Sequence, residues 1–122
     1  FVNDRRDHFP GPDARGYRND AQRPLGYYHH FQFTSTGAHL AQAEGPWKSE
    51  KNYRMLAAIS GRPLELSVVN AGNVREFILE LSANARLTWN LTRYDSDAFL
   101  GEFCTQYFGA EFAARVVALY RE

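Results

Sequence analysis

The sequence predicts an α/β fold: two consecutive strand–helix units with parallel strands, followed by a helical hairpin. Three observations carry this. The stretch Leu64–Asn70 is short, apolar and β-rich and ends at Asn70-Ala71-Gly72, as a buried parallel strand does. Helical spacing takes over at once, with Val74, Phe77, Ile78, Leu81 and Ala85 on one face. The same order, strand then helix, occurs earlier, over residues 26–34 and 49–60. Consecutive units of this kind pair in parallel through a right-handed crossover. Two parallel strands cannot cover both of their faces, so the chain reads as one end of a larger α/β barrel or sheet.

Residues 1–25 form a polar loop rich in proline and glycine with neither the helical nor the strand period. Phe1-Val2 reads as the end of a strand, leaving Asn3 and Asp4 just past it. In the strand 26–34, alternation places Tyr28, His30 and Gln32 on one face and His29, Phe31 and Phe33 on the other. The adjacent histidines point apart and do not share a metal ion, and none is expected. Glu44-Gly45-Pro46-Trp47 reads as a stiff turn. Its Trp47 either packs against the protein or stacks on a sugar ring. Ser49 is the predicted cap of a helix over 49–60, with Tyr53, Leu56 and Ala57 on one side; Gly61 and Pro63 supply the stop.

The second helix is expected over 73–90, opened by an Asn73/Glu76 capping box. A barrel portion over 1–93 then gives way to a helical segment over 94–122. Asp95 or Ser96 caps its first helix, whose stripe is Leu100, Phe103, Cys104 and Tyr107, and Gly109 ends it. A last helix from Ala110 is expected to bury Phe112, Val116, Leu119 and Tyr120.

Acidic and basic residues balance at 14 each, which gives no electrostatic reason to expect nucleic acid or a membrane surface as a partner. The single cysteine excludes an internal disulfide, and its place on an apolar stripe reads as a core thiol. The Walker loop, the Gly-x-Gly-x-x-Gly fingerprint, the Cys-x-x-Cys pair, the His-Glu-x-x-His helix and the Gly-x-Ser-x-Gly elbow are all missing from the sequence. No cofactor is expected.

What remains is a polar rim at the carboxyl ends of the strands, where α/β folds bind ligands. Its members are Asn3, Asp4, Tyr28, His30, Gln32, Trp47, Asn70 and Asn73. Planar donors and acceptors for hydroxyls, with flat rings for sugar C–H faces, are what a carbohydrate site needs. The turn Asn70–Asn73 is read as a place for a carboxylate or a hydroxyl, at unpaired N–H groups of the helix it starts. Glycoside hydrolysis by the usual route needs two carboxylates. Asp4, Asp7 and Glu44 lie near the rim, and no motif marks them.

The runs Gly26-Tyr-Tyr-His-His-Phe-Gln-Phe33, Glu44-Gly-Pro-Trp-Lys48 and Leu66-Ser-Val-Val-Asn-Ala-Gly-Asn-Val-Arg-Glu-Phe77 resemble glycoside hydrolase family 115. Asp97-Ala-Phe-Leu100 and Tyr107-Phe-Gly109 fit the same region. The resemblance spans residues 3–122. It implies a fragment of a (β/α)8 TIM-like barrel, its last βα units, with helices after it. It also implies an inverting xylan α-1,2-glucuronidase that removes glucuronic acid or its 4-O-methyl ether, with a polysaccharide or oligosaccharide as substrate and a periplasmic or extracellular setting. The family's tyrosine-tyrosine-histidine strand falls on Tyr28, His29 and His30, with His29 replacing a tyrosine, and the asparagine that ends its second strand falls on Asn70. Residues 34–40 keep only the glycine of the family's loop, so a different glycan, or a non-catalytic binding segment, stays open. The general acid and base are expected upstream of residue 1. The sequence leaves the oligomeric state open.

Overall fold

The computed structural model describes residues 2–3, 24–31, 45–72 and 74–122. Among the described residues three strands form one sheet, β1 (Val2–Asn3), β2 (Gly26–His30) and β3 (Leu66–Asn70), in the order β1-β2-β3 with both pairings parallel. The described residues also form four helices: α1 (Pro46–Ser60) between β2 and β3, then α2 (Ile78–Trp89), α3 (Ser96–Phe108) and α4 (Ala110–Arg121) after β3. The molecule is a small mixed α/β fold. Its core lies between one face of the sheet and the helices and joins Tyr27 of β2, Leu56 of α1, Leu87 of α2 and Leu100 of α3, each fully buried.

The register aligns Tyr28 with Val68 and His30 with Asn70. β2 lies between the other two strands, and its helix-facing residues Tyr27 and His29, with Phe31 just past its end, are fully buried. Asn52 of α1 donates to the Tyr27 hydroxyl at 2.7 Å. The Tyr53 hydroxyl donates to Asn84 Oδ1 of α2 at 2.8 Å and also bonds the Ser67 hydroxyl of β3. Polar groups inside a core lose water and need such partners. This chain of bonds ties α1 and α2 to the helix-facing side of both strands.

Several expectations are corrected. β3 is not buried: Leu66 is 50% and Val68 37% exposed. Both share the face away from the helices, and β3 is the edge of the described sheet. Asn3 lies within β1, aligned with Tyr28, rather than past the strand's end. α1 starts at Pro46 with Gly45 as its N-cap, so Ser49 is a buried residue inside the helix and not its cap. Proline at the first helical position loses no bond, because that N–H has no partner within the helix.

α2 starts at Ile78, with Phe77 as N-cap, so the Asn73/Glu76 capping box does not open it. Of the expected face, Phe77 is buried and Ile78 packs against the core, whereas Val74 is 67% exposed and Ala85 is exposed. The buried stripe within α2 is Leu79, Ala83 and Leu87, together with Glu80. In the hairpin, Tyr107, Phe112 and Leu119 are exposed. Of the residues expected to be buried in α4, Val116 and Tyr120 do pack on the core, and Ala113 and Val117 take the places of Phe112 and Leu119 there.

The start of α3 is held by its cap. Asp95 accepts from the N–H groups of Asp97 at 2.9 Å and Ala98 at 2.8 Å. Asp95→Ala is expected to cost about 1 kcal/mol, whereas Asp95→Asn, an equally good cap, stays within a few tenths. Thermal midpoints of the full-length variants measure the difference. The turn before α3 is fastened to α1: Glu50 accepts from Arg54 at 2.8 Å and from the Ser96 N–H at 2.9 Å, and Arg54 donates to the Tyr94 carbonyl at 2.7 Å.

Burial, aided by the nearby Glu50 charge, holds the Tyr94 phenol well above its ordinary value of 10.0. The folded chain therefore favours the neutral phenol. That stabilisation is complete below pH 10 and is lost as pH rises beyond it. Tyr94→Phe, which cannot ionise, should shift the alkaline unfolding midpoint of the full-length protein to higher pH.

Candidate functional site

The carboxyl ends of β2 and β3 meet at one pair of residues. His30 and Asn70 are direct partners in the register, and the backbone N–H of Phe31 donates to the Asn70 carbonyl at 3.0 Å. The Asn70 side-chain amide lies 3.0 Å from Nδ1 of His30 and donates to it. An acceptor at Nδ1 leaves the proton of a neutral imidazole on Nε2. The Tyr28 ring stands 4.5 Å from the His30 ring, centroid to centroid, on the same side of β2. Tyr28, His30 and Asn70 are each half-buried. They occupy the sheet face opposite α1, because α1 packs on Tyr27.

The rim is therefore a short polar row. A phenol, an imidazole and a carboxamide line up with Val68 on a face that the described helices leave uncovered. Such a row offers several donors and acceptors to a hydroxylated ligand.

The other expected members stand differently. Asn3 is aligned with Tyr28 in β1. Trp47 is 42% exposed, and its ring lies over Gly45. A Cβ at Gly45 would fall 2.2 Å from that ring, so glycine permits this packing. Trp47 thus folds against its own helix start. Asp4, Asn73, Gln32, Asp7 and Glu44 lie outside the described residues. With α2 starting at Ile78, its unpaired N–H groups stand eight residues beyond Asn70 and do not form part of the Asn70 turn. Among the described residues no group of three His, Cys, Asp or Glu side chains is placed to hold a metal, and no helix is long and apolar enough to cross a membrane.

Sequence reasoning missed two features. The Asn70–His30 bond follows from strand register, which residue spacing alone does not supply. Asn52, fully buried, supports Tyr27 from α1. Its signal was present: Ser49, Asn52, Tyr53 and Leu56 share one helical stripe, so a carboxamide sits among core positions.

A family model described as Glycosyl hydrolase family 115 matches residues 4–122. The chain belongs to this family of glycoside hydrolases. No curated protein and no solved structure matches it.

Proposed function

We propose that this chain is part of an inverting α-glucuronidase that removes glucuronic acid or its 4-O-methyl ether from xylan, with Tyr28, His30 and Asn70 binding the sugar. Family membership supports the reaction class. The observation that carries the site is the hydrogen-bonded His30–Asn70 pair beside Tyr28, on the sheet face away from α1 and at the carboxyl ends of parallel strands. On this reading the sheet is a sector of a (β/α)8 barrel. The face bearing Leu66 and Val68, both exposed here, looks into that barrel, and ligands enter at the ends of its strands. His30 presents its Nε2 to a sugar hydroxyl or uronate oxygen, Tyr28 supplies a phenolic hydroxyl, and the side-chain Oδ1 of Asn70 accepts a further hydroxyl. The two carboxylates that act as acid and base are supplied by other parts of the catalytic domain.

Proton NMR of freshly released product from a 4-O-methylglucuronosyl xylo-oligosaccharide tests the reaction. Inversion delivers the β-anomer first, which then mutarotates. Initial release of the α-anomer, or no release at all, would overturn the assignment. A changed loop over residues 34–40 favours one variant of this reading, a uronate on a different glycan backbone, and a panel of uronate-bearing oligosaccharides separates the two.

A further inference from the structure

The contact between Asn70 and His30 suits both protonation states of the imidazole. A carboxamide has a donor end and an acceptor end, and a half-turn about its last bond exchanges them. Across the 3.0 Å gap the amide NH2 meets the lone pair on Nδ1 of a neutral ring. After the half-turn, Oδ1 meets the N–H that an imidazolium carries at the same place. The Asn70 side chain makes only this bond among the described residues, so the half-turn breaks no other. It is half-buried at the end of β3, directly opposite His30 in the register.

The half-turn reverses what the pair shows to a ligand. With a neutral ring, Nε2–H donates and Oδ1 of Asn70 accepts, a pattern that suits a hydroxyl group. With an imidazolium, Nε2–H still donates and the amide NH2 of Asn70 stands beside it. Two donors and a positive charge suit an ionised carboxylate, which only accepts. Imidazole is the side chain whose charge ordinarily changes between about pH 5 and 8, a range in which carboxylic acids are ordinarily ionised. Among the described residues, the titratable side chain that packs beside His30 on this face is Tyr28, its ring 4.5 Å away. β3 brings Val68 and Asn70 to the face, β1 aligns Asn3 with Tyr28, and α1 lies on the other side of the sheet.

We infer that the His30–Asn70 pair is a proton-linked subsite for the uronate carboxylate, whose binding draws a proton from solvent onto Nδ1 of His30 and turns the Asn70 amide. A ligand shifts an equilibrium only by its differential affinity for the two states. Here the difference is a carboxylate facing two donors and a charge, against one facing a donor and an acceptor oxygen. By linkage, uronate affinity falls by up to about tenfold for each pH unit once the unliganded imidazole is neutral. A neutral sugar gains nothing from the charged state and binds with little dependence on pH. The inference rests on the glycosidase reading for its uronate; it adds which group of the sugar the pair takes and the protonation state that takes it.

The test compares methyl α-glucuronoside with methyl α-glucoside, which differ only in carboxylate against hydroxymethyl. Each is titrated calorimetrically into full-length protein between pH 5 and 8, in pairs of buffers with different ionisation enthalpies. Glucuronoside binding should take up a proton towards the upper end of the range and weaken there, and glucoside binding should do neither. His30→Gln keeps a donor that cannot titrate, so its glucuronoside affinity should be flat with pH and its proton uptake lost. Asn70→Asp holds the imidazolium before any ligand arrives and turns an oxygen to the carboxylate. It should bind glucuronoside at least tenfold more weakly than wild type, without proton uptake. Glucuronoside binding to the wild type with no proton uptake anywhere in the range overturns the inference, as does undiminished uptake in His30→Gln. Release of uronate from a glucuronosyl xylo-oligosaccharide reports separately on the glycosidase reading. A protein that cleaves this substrate without proton-linked binding keeps that reading and loses the subsite, and one that binds glucuronoside with proton uptake but cleaves nothing does the reverse.

Discussion

Replacing His30 by alanine in the full-length protein is expected to lower kcat/KM on a glucuronosyl xylo-oligosaccharide at least tenfold, about 1.4 kcal/mol. The variant removes the imidazole that Asn70 holds by its Nδ1 atom, and with it a donor aimed from the strand end. Asn70→Ala is expected to cost roughly 1–3 kcal/mol in ligand binding, the range for leaving a buried partner unsatisfied. Because the two side chains touch, their effects should not add. The double variant should lose little more than the worse of the single ones, with a coupling energy on the order of 0.5–3 kcal/mol. Thermal stability should move little, since both residues are only half-buried. Wild-type kcat/KM in His30→Ala, or full additivity in the double variant, would remove the pair from the site.

The alternation of β2 was legible because a strand has a fixed period. Tyr28 and His30 on one face, His29 and Phe31 on the other, follow from residue parity alone. The parallel pairing of β2 with β3 followed from the helix between them. Burial was less legible. Leu66 and Val68 are as apolar as any core residues, yet they face away from the helices, and composition carries no record of which face a neighbour covers. Helix starts were misread where two signals competed. Gly45-Pro46 was read as a turn and Ser49 as a cap, although proline is favoured in the first turn of a helix. The Asn73–Glu76 spacing suited a capping box, but α2 begins only after Phe77. The site was half legible: Tyr28, His30 and Asn70 come together, while Trp47 turns back onto Gly45, a contact that depends on three-dimensional approach rather than on any sequence period.

The helical layer gives the second large effect. Leu87→Ala should destabilise the protein by about 2–5 kcal/mol, a large share of the total stability of an ordinary domain, about 5–15 kcal/mol. Leu87 is fully buried in the cluster that also holds Tyr53 and Leu56 of α1 and Leu100 and Phe103 of α3, so truncation opens a cavity where three helices meet. Val74→Ala should change stability by no more than about 0.5 kcal/mol, as surface substitutions do, because Val74 is 67% exposed. The contrast discriminates between two faces of one segment. Helical periodicity continued back to residue 73 would bury Val74 and Leu81, whereas a helix that begins at Ile78 turns Leu79, Ala83 and Leu87 inward. Denaturant midpoints of the two full-length variants, compared at equal slope so that only stability has changed, decide the matter. A Val74→Ala loss as large as that of Leu87→Ala would mean that the helix extends back towards Asn70 and that its N-terminal N–H groups reach the carboxyl end of β3 after all.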